Sequence, residues 1–111
     1  MLQLRSYLTP VYENIEFTLN DGQTDYDLDV NQAAFLSKFQ AAGMPIVPSF
    51  VMIRTNQTIT VKLNKTTNDA ITITSTDSPF VIDGVLINNM FLSNASGSNA
   101  AVKLFFREAH A

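Results

Sequence analysis

Ten carboxylates, seven basic side chains and one histidine are the groups with which this chain of 111 residues would do chemistry. Three of the carboxylates, Asp25, Asp27 and Asp29, alternate with Tyr26, Leu28 and Val30 in the run Q-T-D-Y-D-L-D-V. On an extended strand they share one side, and a calcium ion wants several such oxygen ligands. An EF-hand loop would also need its glycine and closing glutamate at set offsets, and neither is present. The competing reading is a solvated strand face on which Asp29 or Asn31 caps a following helix. Glu13 with Glu16, or Asp25 with Asp27, would be the acid/base pairs of a glycosidase. Glu13 and Glu16 differ by an odd offset, however, which puts them on opposite faces of one strand. His110, one residue from the C-terminus, lacks the partner and the dry wall that a catalytic imidazole requires. With no cysteine, thiolate nucleophiles, disulfides and Cys-ligated zinc are excluded. No Gly-rich phosphate loop occurs, and the four glycines stand alone. These patterns imply no enzyme, no cofactor and no resident metal.

The bulk numbers point away from other function classes. A net charge of −3, with only seven scattered basic residues, is unlike a surface that tracks phosphates. K-L-F-F-R, residues 103–107, is the one place where aromatic and basic residues interleave. No apolar run approaches the ~18 residues of a membrane span, and the N-terminus has no basic segment leading into an apolar one. These features predict a soluble protein made in a cytoplasm that binds neither nucleic acid nor membrane. Charged residues make up 15% of the chain, below the usual quarter or so. Its surface must therefore be covered by Thr, Ser, Asn and Gln, as suits β-sheet proteins and surfaces that touch other protein.

The elements that would carry these residues are mostly short strands. Residues 2–8 alternate loosely before Pro10, and Ile15, Phe17 and Leu19 then face away from Glu16 and Thr18. Asp21-Gly22 is the strongest turn signal. The one helical pattern is Gln32–Ala42, where Ala33, Phe35, Leu36, Phe39 and Ala42 form a stripe ended by Gly43 and Pro45. Phe50–Arg54 and Thr58–Leu63 read as a hairpin about Thr55-Asn56-Gln57, and Ile59, Val61 and Leu63 are strictly alternate. Ala70–Ser75, Phe80–Ile82, Val85–Ser93 and Ala100–Arg107 follow, the last two joined by the polar turn Asn94–Asn99. The three N-x-S/T triplets, at Asn56, Asn64 and Asn94, read as strand ends and turns. Turn signals recur every eight to twelve residues. The chain is predicted to be a single all-β domain over residues 1–111, with about eight short antiparallel strands. Their arrangement would be a β-sandwich or jelly-roll-like barrel with one short helix near 32–42.

Two of these strands are apolar on both faces. Ala100–Arg107 sets Val102, Leu104 and Phe106 against Ala101, Lys103, Phe105 and Arg107. Val85–Ser93 sets Leu86, Met90 and Leu92 against Val85, Ile87 and Phe91, with Asn88 and Asn89 each interrupting one face. A sheet over one core needs only one dry face. The second requires a cover, either the helix or another copy of the chain. This predicts a protein–protein interface at Ile87, Asn88, Asn89, Phe91, Phe105 and Arg107, a homo-oligomer, and a bulge or subunit contact at the two asparagines.

The succession I-R-T-N-Q-T-I-T-V-K-L-N (53–64), N-D-A-I-T-I (68–73), S-P-F-V-I-D-G-V-L-I-N-N-M-F-L-S-N (78–94) and A-S-G-S-N-A-A-V-K-L-F-F (95–106) resembles small structural proteins of tailed bacteriophages. The resemblance covers roughly the C-terminal half. It implies a non-enzymatic β-sandwich component of the virion (capsid decoration, neck or tail) whose partners are capsid or tail proteins and which is made in the host cytoplasm. The alternative is a carbohydrate- or receptor-binding module using Asp25, Tyr26, Asn56 and Asn94. The absence of Trp and the presence of only three Tyr count against it, because sugar faces stack on such rings.

Overall fold

A computed structural model of the chain describes residues 12–32 and 47–108. Eight strands follow one another: β1 (Tyr12–Leu19), β2 (Tyr26–Asp27), β3 (Phe50–Thr55), β4 (Ile59–Leu63), β5 (Ile71–Ile73), β6 (Phe80–Asp83), β7 (Met90–Ser93) and β8 (Ala100–Arg107). A single helical turn, α1 (Leu28–Asn31), follows β2 directly. The strands form two four-stranded sheets, ordered β1-β8-β3-β6 and β2-β7-β4-β5. Every neighbouring pair is antiparallel.

That order has a simple origin. A chain laid out as one long hairpin, β1–β4 going out and β5–β8 coming back, pairs first with eighth, second with seventh, third with sixth and fourth with fifth. Wrapping this ribbon around a core leaves alternate pairs in opposite sheets, and the result is a jelly roll. The expected all-β class is thus the observed one.

The core lies between the sheets. β8 alternates without a break, with Ala100, Val102, Leu104 and Phe106 buried. Opposite them on the neighbouring strands stand Ile15 and Leu19 of β1, and Val51 and Ile53 of β3. The second sheet contributes Ile59, Val61, Ile73, Met90 and Leu92. Leu28 of α1 and Ile87 of the β6–β7 loop are also fully buried.

Four local expectations change. β3 and β4 do not form a hairpin, because they belong to different sheets, and the same is true of β7 and β8. Thr55–Gln57 and Asn94–Asn99 are corners at which the chain crosses from one sheet to the other. Among the described strands, only β4–β5 is a hairpin within a sheet. The expected strand over 23–30 shrinks to Tyr26–Asp27 and then winds into α1, which Asp27 caps by accepting a bond from the Val30 amide. The expected strand Val85–Ser93 begins only at Met90. Ile87 is buried and so are Met90 and Leu92, an odd offset that no continuous strand permits. The switch of parity falls at Asn88-Asn89. The helix expected near 32–42 and the strand expected at 2–8 lie outside the described residues, apart from Gln32, whose amide closes α1 on Leu28.

Three asparagines end strands and tie distant segments together. Asn56 Oδ1 accepts the Ala101 amide at 2.8 Å. Asn94 secures the β7–β8 corner beside the β1–β2 corner. Asn64, in the left-handed region at φ 68°, donates through Nδ2 to Leu86 O and accepts the Asn88 and Asn89 amides on Oδ1. Asn64→Ala should therefore lose the side-chain bonds and also strain the backbone, at a cost of about 2 kcal/mol. Asn64→Gly keeps the backbone conformation and should lose about half as much. Urea midpoints of the two variants check this, and equal losses would remove the backbone part of the argument.

Candidate functional site

The three aspartates singled out for chemistry do not converge on one site. Asp25, at φ 47°, lies 3.2 Å from Lys62 Nζ. Asp27 Oδ1 caps α1 and accepts from Asn89 Nδ2 at 2.9 Å. Asp29 is exposed on α1, and its amide donates to Asn89 Oδ1 at 3.1 Å. The strand that would have aligned the three carboxylates is replaced by the helical turn. No group of three or more metal-ligating side chains occurs among the described residues. Glu13 points into the sandwich at 4% exposure, while Glu16 faces outward and lies 3.8 Å from Lys103, so the odd offset separates them as expected. His110 lies outside the described residues. No described helix is long and apolar enough to cross a membrane.

The residues of the sugar-binding alternative are occupied as well. Asn94 is buried, with its amide group bonded to Leu19 O, Ser98 O and the Ser96 amide. Asn56 is bonded to β8. The Tyr26 ring is stacked on Phe17 at 5.1 Å, and its hydroxyl accepts from Gln32 Nε2. None of the four presents an open polar group beside an open ring face.

The six residues of the predicted interface are not one surface. Ile87 belongs to the core. Asn89 is half-buried and joins β7 to α1, whereas Asn88 is exposed in the β6–β7 loop. Phe91 lies on the outer face of the β2-β7-β4-β5 sheet, opposite Asp27 and Lys62. Phe105 and Arg107 lie on the outer face of the other sheet. Grouping Phe91 with Phe105 assumed that β7 and β8 pair.

The register builds one continuous apolar surface on the β1-β8-β3-β6 sheet. One row across the strands is Tyr12, Arg107, Phe50, Asp83. The next outward row is Asn14, Phe105, Met52, Val81. Tyr12 stacks on Phe105 at 5.6 Å, and the Arg107 guanidinium lies 4.0 Å over the Phe50 ring. Tyr12 is 51% exposed and Val81 47%. Glu16, Lys103 and Arg54 form the third row and border the patch with charge. An apolar centre with aromatic and Arg residues beside a charged rim is the anatomy of a protein-binding surface. Single strands advertise only Phe105 and Arg107. Phe50, Met52, Tyr12 and Val81 join them through pairings that no local pattern reveals.

At the corner end of the other sheet, Thr58, Ile59, Thr60, Ser93, Ala95 and Ser96 line a depression of about 250 Å³. This is smaller than the usual site for a drug-sized ligand. In the β5–β6 turn, Asp77 accepts the Thr74 amide and hydroxyl on Oδ2 at 3.1 and 2.9 Å. The backbone bond first, then the hydroxyl bond, holds its carboxyl below the ordinary value of 3.8. A depressed folded value means stabilisation that is present above the ordinary range and is lost as pH falls through the folded one. Thermal midpoints of the wild type and Asp77→Asn should therefore differ at neutral pH and converge as the pH drops below 3.8. A gap that ignores pH would remove the charge from the account.

No protein-family model matches the chain, and no curated protein matches it. A jelly roll by itself carries no function, since many unrelated activities share it.

Proposed function

We propose that this chain is a non-enzymatic structural component of a tailed-bacteriophage virion, a capsid decoration, neck or tail protein that acts through protein–protein contacts. The observation that carries the reading is the outer face of the β1-β8-β3-β6 sheet, with Tyr12, Phe50, Met52, Val81 and Phe105 laid side by side in two adjacent rows. Tyr12 and Val81 are exposed and the other three half-buried, and a contiguous apolar patch of this kind is where proteins meet other proteins. The similarity of residues 53–106 to small virion proteins of tailed phages supports the same reading. Its partners are other virion proteins and further copies of itself, and its place is the virion after synthesis in the host cytoplasm. Capsid, portal or tail genes beside its own gene would fix the class. The direct test is mass spectrometry of purified particles from the phage or prophage that encodes it. Stoichiometric presence is expected, and absence from particles that otherwise contain all their structural proteins would overturn the proposal.

A further inference from the structure

The row that borders the apolar face is out of balance in charge. Across the strands it reads Glu16, Lys103, Arg54. Lys103 and Arg54 therefore stand directly opposite each other on β8 and β3, and like charges so placed destabilise a sheet. Lys103 Nζ lies 3.8 Å from Glu16, a loose pair between two exposed side chains. Arg54 is also exposed and lies within ion-pair distance of no described carboxylate. Its guanidinium bonds the Met52 sulfur instead, at 3.9 Å. The whole outer face leans the same way. Arg54, Lys103 and Arg107 project from its strands against Glu16 and Asp83, on a chain whose net charge is −3.

Two requirements follow for whatever covers this face. It must bring negative charge to Arg54 and Lys103, and it must bring apolar surface to the adjoining row, where Met52 and Phe105 are half-buried. Rows on one face of a sheet are about 7 Å apart, a distance that neighbouring side chains of a polypeptide span. A polynucleotide meets the requirements badly. Its bases need open ring faces, whereas Phe105 is stacked with Tyr12 and Phe50 lies under the Arg107 guanidinium. The net charge of −3 also opposes a phosphate chain.

We infer that the β1-β8-β3-β6 face binds an acidic polypeptide segment, whose carboxylate meets Arg54 and Lys103 and whose neighbouring apolar side chain meets Met52 and Phe105. This rests on the reading that the face makes the protein's contacts, and it states the chemistry of the partner. The like-charged pair makes stability and binding move in opposite directions. Arg54→Glu sets opposite charges side by side, so this variant should melt at or slightly above the wild-type midpoint while losing the partner. The test is a library of random short peptides selected on the immobilised full chain, with the enriched peptides measured by fluorescence anisotropy. They should carry Asp or Glu beside large apolar residues and weaken as salt rises. They should bind Arg54→Glu about tenfold or more weakly than the wild type, and Glu16→Gln should tighten them. A selection without binders, one that yields peptides rich in Lys and Arg, or acidic peptides that bind Arg54→Glu equally well would overturn the inference. So would Arg54-dependent binding of a labelled oligothymidylate in preference to the peptides. Absence from purified particles would remove the virion reading alone, and a failed selection would remove this one alone.

Discussion

Replacing Asn94 with alanine is expected to lower the free energy of unfolding by about 3 kcal/mol. In thermal denaturation this reads as a fall in midpoint on the order of 15 °C. Asn94 is 1% exposed, and its side chain makes three bonds: Nδ2 donates to Leu19 O at 2.9 Å and Ser98 O at 2.8 Å, and Oδ1 accepts the Ser96 amide at 3.0 Å. Its backbone is committed too, accepting the Gly22 amide and donating to Gln23 O. This one residue therefore sews the β1–β2 corner to the β7–β8 corner, where the two sheets meet. Alanine would take the Asn94 partner away from the buried Leu19 carbonyl and from the Ser96 amide, leaving Ser98 O only its bond from Ser96 Oγ, and desolvated groups that lose a bond are costly. Asn94→Asp should be worse than Asn94→Ala, because it turns a carboxylate toward two carbonyl oxygens in a buried site. If Asn94→Ala melts within a few degrees of the wild type, water fills the gap and the corners are joined by other means.

The second large effect separates two neighbours on β8. Leu104 is fully buried between Ile15 and Ile53, and Leu104→Ala should cost about 3–4 kcal/mol through lost transfer energy and the cavity left behind. Phe105, the next residue, is half-buried on the outer face, where it lies between Asn14 and Met52 and stacks on Tyr12. Phe105→Asp should cost about 1 kcal/mol. On the proposed function, however, it should reduce incorporation into particles by tenfold or more, because it puts a charge at the centre of the apolar face. Chemical denaturation and quantitative particle mass spectrometry measure the two quantities. A Phe105→Asp protein that incorporates normally would detach that face from assembly.

The division between what was readable in the chain and what was not follows the range of the interactions. Burial within a strand is local, set by alternation alone. Ile59, Val61 and Leu63, and the run from Ala100 to Phe106, accordingly point where their spacing says. Pairing is not local. Asp21-Gly22, Thr55–Gln57 and Asn94–Asn99 look like hairpin turns, and the signal for reversing direction is the same whether the chain returns beside itself or crosses to the facing sheet, ~10 Å away. The candidate surface inherited that ambiguity. Phe105 was visible as outward-facing, but its neighbours Met52, Phe50 and Tyr12 are supplied by β1 and β3. Asp25–Val30 and Val85–Asn89 left their expected strands for a related reason. Asn89 and Asn64 draw those backbones into a helical turn and a loop by hydrogen bonds across the fold.

The pairing of β1 with β8 also governs how the protein comes into being. Of the described strands, β1 emerges first on the ribosome and finds its partner only when β8 has been made. β2 must wait for β7 and β3 for β6, so among the described strands the β4–β5 hairpin is the only sheet contact that forms between consecutive ones. Folding should therefore begin in the middle of the chain and close outward, at the slow end of the range for domains of this size. Until it closes, Val102, Leu104 and Phe106 of β8 and the core residues Ile15 and Leu19 of β1 stand exposed, and they are covered only in the last step.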